Sequence, residues 1–204
     1  MNISSYACSP YQTNSYLLTD EEMGLGIIVD PGGYVPQLTE AARNAGVDIK
    51  YIILTHGHSD HRAGLDNYKA DFPDAKVVVY ELEAPTIPGP TEFGNYVNTV
   101  PDTLVKDGDE LNLGRLTLKC LFTPGHTPGG MCVYIPEIKV LFSGDTLFRQ
   151  SIGRTDFPGG SLRDIDRAIK KQLYTLPDDT QVFPGHMGPT TIGFEKENNP
   201  FVFL

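Results

Sequence analysis

The apolar run Tyr51-Ile52-Ile53-Leu54 stops directly on Thr55-His56-Gly57-His58-Ser59-Asp60-His61, and that junction constrains the fold more than any other feature of the chain. A short continuous apolar run is the pattern of a strand buried on both faces. The segment after it packs four metal-ligating side chains into six residues. The fold must therefore bring a buried strand to an end on a polar, donor-rich turn. The remaining two histidines repeat this layout. His126 sits in Thr123-Pro124-Gly125-His126-Thr127-Pro128-Gly129, where prolines and glycines force a tight turn after the strand-like segment Leu116 to Phe122. His186 sits in Phe183-Pro184-Gly185-His186, and Asp145 follows Phe142-Ser143-Gly144. Each is a strand, a small punctuation residue, then a donor.

Imidazole is the commonest side-chain ligand of first-row transition metals. In extended chain His56 and His58, two residues apart, project to one side and can chelate one ion. Asp60 and His61 fall on the next turn and point to a neighbouring position, so the four donors suit two metals better than one. Taken singly, Asp145 could cap a helix and His186 could be a surface loop residue. The repeated layout argues for a metalloenzyme instead.

The rest of the chain reads as an α/β domain with two sheets inside and helices outside. Asn14 to Thr19 and Leu25 to Asp30 are strand-like and joined by Asp20-Glu21-Glu22, which suits a hairpin. Asp30-Pro31-Gly32-Gly33 breaks the second strand, and a helix is expected over Val35 to Ala45, with Leu38, Ala41 and Ala42 on one face. A short helix from Ala63 to Phe72 and a strand over Val77 to Tyr80 follow the histidine cluster. The proline-punctuated stretch from Ala84 to Leu104 is too long for an ordinary connection and is expected to be a loop near the substrate. Further on, Met131 to Ile135 and Lys139 to Phe142 are strand-like. Ser161 to Leu173 forms an amphipathic helix capped by Ser161, with Asp164 in its first turn and Leu162, Ile165, Ile169 and Leu173 as its buried stripe. The apolar tail Phe201-Val202-Phe203-Leu204 is expected to seal the core.

A chain of 204 residues with 40% hydrophobic content suits one compact domain spanning 1-204. Its formal charge of -10 argues against nucleic acid or an anionic membrane as partner, leaving a small-molecule substrate. The N-terminus has no basic segment followed by an apolar one, and no stretch approaches the roughly 18 apolar residues of a membrane span, so a cytoplasmic protein is expected. Cys8, Cys120 and Cys132 are odd in number and lack the C-x-x-C spacing, which predicts reduced thiols, with Cys120 and Cys132 in the core and a thiolate ligand as the sharper alternative.

The order H-x-H-x-D-H, T-P-G-H-T-P-G, S-G-D-T-L-F and P-G-H resembles the metallo-β-lactamase superfamily, and within it the short bacterial glyoxalase II-like (hydroxyacylglutathione hydrolase-like) branch. The resemblance runs from Asn14 to the segment 193–201. It implies an αββα sandwich, two mixed sheets flanked by helices. It also implies His56, His58 and His126 on a first metal, Asp60, His61 and His186 on a second, Asp145 bridging both, and Asp30 supporting the loops behind them. Two zinc ions are the expected cofactor, with iron or manganese as alternatives. Glyoxalase II carries a helical extension that grips glutathione; here only the short segment 187–204 follows His186, so no such domain is expected. Arg154, in Arg154-Thr155-Asp156-Phe157, either neutralises buried carboxylates or touches substrate, and the first is the expectation.

The reaction this implies is thioester hydrolysis by a metal-held hydroxide, with Asp60 and Asp145 as the catalytic carboxylates. The same segment around Arg154 also looks like persulfide dioxygenases, in which His56, His126 and Asp145 would hold a single iron. A β-lactamase, a nuclease and a structural metal protein fit less well: the chain shows no export signal, its surface is acidic, and closed structural zinc sites are usually cysteine-rich.

Overall fold

Three aliphatic runs organise the first half of the chain: Ile27-Ile28-Val29, Ile52-Ile53-Leu54 and Val77-Val78-Val79, all buried. In the computed structural model, which describes residues 1–203, they become neighbouring strands of one mixed sheet. Its strands are β1 (Asn2–Cys8), β2 (Thr13–Asp20), β3 (Leu25–Val29), β4 (Asp48–Leu54) and β5 (Lys76–Tyr80). After the small hairpin β6 (Gly89–Pro90) and β7 (Tyr96–Val97) comes β8 (Thr103–Val105), giving the order β1-β2-β3-β4-β5-β8. β1, β2 and β3 pair antiparallel, whereas β3, β4 and β5 run parallel, as the continuous apolar runs predict.

Helix α1 (Pro36–Asn44) starts on a proline whose missing N–H costs nothing there, and buries Leu38 and Ala42 four residues apart. The helix expected over 63–72 is α3 (Leu65–Asp71), and a separate single turn, α2 (Ser59–Arg62), precedes it. The break between the two falls at Gly64, whose N–H bonds the Pro31 carbonyl. Leu38, Ala42, Leu65 and Tyr68 pack with Leu17, Ile28, Ile52, Leu54, Val77 and Val79 in one cluster. Strand β1 has no legible signal, since Asn2, Ser4 and Ser5 are polar; it forms as the edge partner of β2. The stretch 84–104 is better ordered than expected. It holds a single helical turn at Ala84–Thr86 and the β6–β7 hairpin, and it buries Ile87 and Val97 fully.

The second sheet has the order β16-β15-β12-β11-β10-β9. Its strands are β9 (Glu110–Leu113), β10 (Leu116–Phe122), β11 (Met131–Ile135), β12 (Val140–Gly144), β15 (Gln181–Pro184) and β16 (Thr190–Thr191). A ribbon of β13 (Leu147–Phe148) and β14 (Ser151–Ile152) stands beside it in sequence. β12 and β15 are parallel; the β10–β11, β11–β12 and β15–β16 pairs are antiparallel. Helix α4 (Leu162–Ala168) is capped by the Ser161 side chain on the Asp164 N–H and passes into a wider π turn at Ile169–Leu173. α5 (Ile192–Asn198) follows β16.

Ile165, Ile169 and Leu173 enter a core with Cys132, Leu141, Leu147 and Val182, but Leu162 does not: it is 58% exposed. The reason lies one turn later. Ile165 packs so closely on Gly125 that a side chain there would lie 2.5 Å from its Cβ, so the helix reaches its packing partner at Ile165 and leaves Leu162 overhanging. Of the tail, Val202 joins this core, Phe201 and Phe203 are exposed, and Leu204 lies outside the described residues. By contact density the chain divides into two units. The first comprises Met1–Val79, Glu83–Leu104 and Leu113–Arg115, and the second lies mainly from residue 116 onward.

Candidate metal centre

In the first unit the donors follow β4. His58 is the residue before α2, and Asp60 and His61 lie within it; His56 and His61 are buried. His56 Nε2 and His58 Nδ1 are 3.1 Å apart. Asp60 Oδ2 is 3.6 Å from His61 Nε2 and accepts a 2.8 Å hydrogen bond from the Thr13 hydroxyl.

Asp30 lies behind these groups. It has left-handed backbone (φ +51°) just past β3, and its buried carboxylate accepts from Thr55 N–H at 2.8 Å and the Thr55 hydroxyl at 2.7 Å. His61 Nδ1 is 2.9 Å from the same carboxylate. Nδ1 is therefore the protonated nitrogen of His61, which leaves the Nε2 lone pair for a metal. The turn packs tightly: a side chain on Gly32 would place its Cβ 1.7 Å from the Asp60 carbonyl oxygen, so only glycine fits.

Two further residues, neither of them apparent from the sequence, hold the motif. Arg62 is buried, and its guanidinium donates to the carbonyls of Gly57, Ile87, Gly89 and Pro90, tying the 84–97 stretch to the histidine turn. Burial lowers its pKa. Glu83 accepts from the Gly57 N–H at 2.9 Å. An arginine beside the motif is the only sequence signal for either.

In the second unit His126 follows β10, Asp145 follows β12 and His186 follows β15. Asp145 Oδ2 is 3.5 Å from His126 Nε2 and 3.5 Å from His186 Nε2. His126 Nδ1 donates to the Arg154 carbonyl at 2.8 Å, again presenting Nε2. A Cβ on Gly153 would lie 1.8 Å from the Asp145 carbonyl oxygen, so that glycine fixes the loop carrying the carboxylate. His126 and His186 pack edge-on against Phe157 and Phe148.

Arg154 departs from the expectation that it neutralises buried carboxylates. Its side chain pairs in bidentate fashion with Asp156, at 2.9 Å on each oxygen, and both are about two-thirds exposed (66% and 67%). It lies over the Phe157 ring, 4.3 Å from its centre. The adjacent aspartate satisfies it locally, and only its backbone carbonyl serves the donor set. The three cysteines are buried thiols outside any disulfide. Burial pushes the Cys120 thiol up to about 12 and raises that of Cys8, and the groups of donors close enough to share an ion are all histidine and aspartate.

Neutral imidazoles with one nitrogen fixed by an oxygen acceptor, accompanied by carboxylates, are a donor set suited to divalent transition ions. Such donors at the ends of sheet strands define a metal-dependent α/β enzyme. The model of the metallo-beta-lactamase superfamily matches residues 8–186. The chain is 35% identical to the hydroxyacylglutathione hydrolase GloC of Haemophilus influenzae, covering 99% of this chain and 98% of that protein. It is 34% identical to the probable metallo-hydrolase YqgX of Bacillus subtilis, covering 95% and 93%.

Among solved structures, the B3 metallo-beta-lactamase BLEG-1 is 32% identical with TM-score 0.91 over 98% of this chain and 99% of that one. TTHA1623 in a di-iron-bound form is 31% identical with TM-score 0.82, covering 98% and 100%. ETHE1 from Myxococcus xanthus is 28% identical with TM-score 0.79, covering 98% and 84%. The chain belongs to the metallo-β-lactamase superfamily, has its fold, and is a metallo-hydrolase of that superfamily. No helix among the described residues is long and apolar enough to cross a membrane.

Proposed function

We propose that the chain hydrolyses a thioester, an S-acylglutathione or a related small molecule, with two divalent ions, most simply zinc. His56, His58 and His126 would hold one ion and Asp60, His61 and His186 the other, with Asp145 shared between them. The observation that carries this reading is the position of Asp145: one of its oxygens is equidistant from Nε2 of His126 and of His186, the two histidines assigned to different ions. When bound, such ions supply a water acidified to near neutral pH and a Lewis acid for the carbonyl.

The chain's own residues do the rest. Asp60, held by Thr13 through Oδ2, would orient the attacking water and take its proton. Asp30 and the Arg154 carbonyl keep His61 and His126 in the tautomer that presents Nε2. Water oxygen bonds to the acyl carbon, the C–S bond breaks, and the products are a carboxylate and a thiol. No cysteine or serine nucleophile is needed.

The test is elemental analysis of protein purified without added metal, beside hydrolysis of S-lactoylglutathione and a panel of other thioesters, with His61→Ala as control. No turnover by fully metallated protein refutes the proposal. The likeness to ETHE1 and the Arg154–Phe157 segment support a second reading, a mononuclear iron persulfide dioxygenase. One iron per chain with oxygen uptake on a persulfide would establish it. The likeness to BLEG-1 makes a β-lactam the third substrate to include.

A further inference from the structure

We infer that Thr13 is a positioning residue that fixes the orientation of the Asp60 carboxylate, and thereby governs retention of the ion held by Asp60, His61 and His186; this rests on the two-ion reading above. Thr13 opens β2 and is fully buried. Its hydroxyl has a single proton, and the 2.8 Å contact with the Asp60 carboxylate, which can only accept when ionised, takes it. The Ser9 hydroxyl, 3.2 Å from the Thr13 oxygen, must then be the donor of that pair. The Ser9 oxygen in turn accepts from the Tyr11 N–H at 3.2 Å.

The direction of the whole chain is thus set by the Asp60 carboxylate: Tyr11 N–H to Ser9, Ser9 to Thr13, Thr13 to Asp60. The β1–β2 turn is shaped to permit it, since Ser9 and Gln12 both adopt left-handed backbone, φ +61° and +57°, which most side chains avoid. With Oδ2 bonded to Thr13, the carboxylate is held in one orientation. Without the hydroxyl the anchor on Oδ2 is lost.

Thr13→Val keeps the shape and the strand preference while removing the donor; Thr13→Ser keeps the donor. Loss of a hydrogen bond that orients a ligand typically weakens metal binding about 10- to 100-fold. The experiment loads wild type and both variants with excess zinc, dialyses them against graded chelator, and measures zinc per chain by elemental analysis, with thermal melting as the check on folding. We expect wild type and Thr13→Ser to hold two ions over the same chelator range. Thr13→Val should fall to one ion at roughly 10- to 100-fold lower chelator, with the second ion lost where wild type loses it.

Equal retention in Thr13→Val and wild type overturns the inference. So does Thr13→Ser behaving like Thr13→Val, which would show that the hydroxyl donor does not carry the effect, and so does a wild type that never holds more than one ion. A Thr13→Val protein that fails to fold is replaced by Ser9→Ala, which removes the donor to Thr13 from an exposed turn and should shift the same step by a smaller factor; no shift there is likewise refuting. Failure of the thioesterase reading would show as absent turnover in wild type and would leave these metal counts to decide the role of Thr13 separately.

Discussion

Asp30→Asn changes one buried atom from acceptor to donor, and the structure fixes what that does. The native carboxylate receives two bonds from Thr55, at 2.8 and 2.7 Å, and one from His61 Nδ1 at 2.9 Å. An asparagine can keep its oxygen on the Thr55 N–H, but its NH2 group then faces the Thr55 hydroxyl and His61 Nδ1. The threonine hydroxyl can turn to accept. The histidine can accept only by moving its proton to Nε2, the nitrogen the metal requires.

Hydrogen bonds to a charged group contribute about 1.5–3 kcal/mol each and neutral ones roughly 1 kcal/mol, so three bonds that each lose about 0.5–1 kcal/mol of charge assistance cost about 1.5–3 kcal/mol together. For a chain of this size each kcal/mol is worth about 2–4 °C, so the metal-free variant should melt about 3–12 °C lower than metal-free wild type. Metal affinity should fall about 10- to 100-fold, because the ligand is held in the wrong tautomer. The assay is a pair of melting curves without metal, followed by zinc titration against a chromophoric chelator. A variant that melts within about 1 °C of wild type and binds zinc equally would refute both the tautomer assignment and the supporting role of Asp30.

Other contacts give three further outcomes. Arg62→Ala leaves four carbonyls of the histidine turn and the 84–97 stretch without their shared donor; urea unfolding should show a loss of roughly 2–4 kcal/mol, and Arg62→Lys should recover little because an ammonium cannot span that fork. Gly153→Ala drives a Cβ into the Asp145 carbonyl and should cost more than about 4 kcal/mol or prevent folding, while Gly188→Ala, with open space around it, should stay within about 0.5 kcal/mol in the same assay. Asp66 carries a pH dependence. Desolvation acts to raise its pKa, but bonds from Thr99 and Asn98 outweigh this and hold it below the ordinary aspartate value. A depressed folded pKa means stability present above the unfolded pKa and lost as pH falls through the folded one. Limited proteolysis within 91–99 should therefore accelerate below about pH 4, and Asp66→Asn should show the faster cleavage already at pH 7.

What the sequence discloses and what it conceals divide along physical lines. Donor type and spacing are local, so His56, His58, Asp60 and His61 could be read directly, and so could the breaks that place His126, Asp145 and His186 at strand ends. Thr13 and Glu83 could not, because each acts through a partner far along the chain: Thr13 on Asp60, and Glu83 on Gly57. Arg154 misled for the opposite reason. An arginine beside an aspartate is usually paired, and Arg154 is, but the pair with Asp156 stands in solvent and neutralises no buried carboxylate. Leu162 fits the helical period but not the packing, since period alone does not show where a helix first meets its sheet.

The step from strand ends to a metal centre depends on which strands are parallel neighbours, and only pairing supplies that. β3 and β4 run parallel with Val29 opposite Ile53, so the residues just beyond, Asp30 and Thr55, emerge together and the carboxylate meets His61. β12 and β15 run parallel with Gly144 opposite Pro184, and the Gly185 N–H bonds the Gly144 carbonyl at 2.8 Å. Asp145 and His186, 41 positions apart, thereby become neighbours. An antiparallel pair would send the two exits to opposite edges of the sheet. Antiparallel pairing joins β10 to β11 and β11 to β12, and these two reversals return the chain so that β10 and β12 end on the same edge, bringing His126 to Asp145. The donor geometry is therefore a consequence of strand direction. A register slip of one residue between β12 and β15 would turn His186 to the other face and remove it from Asp145 without altering a single donor.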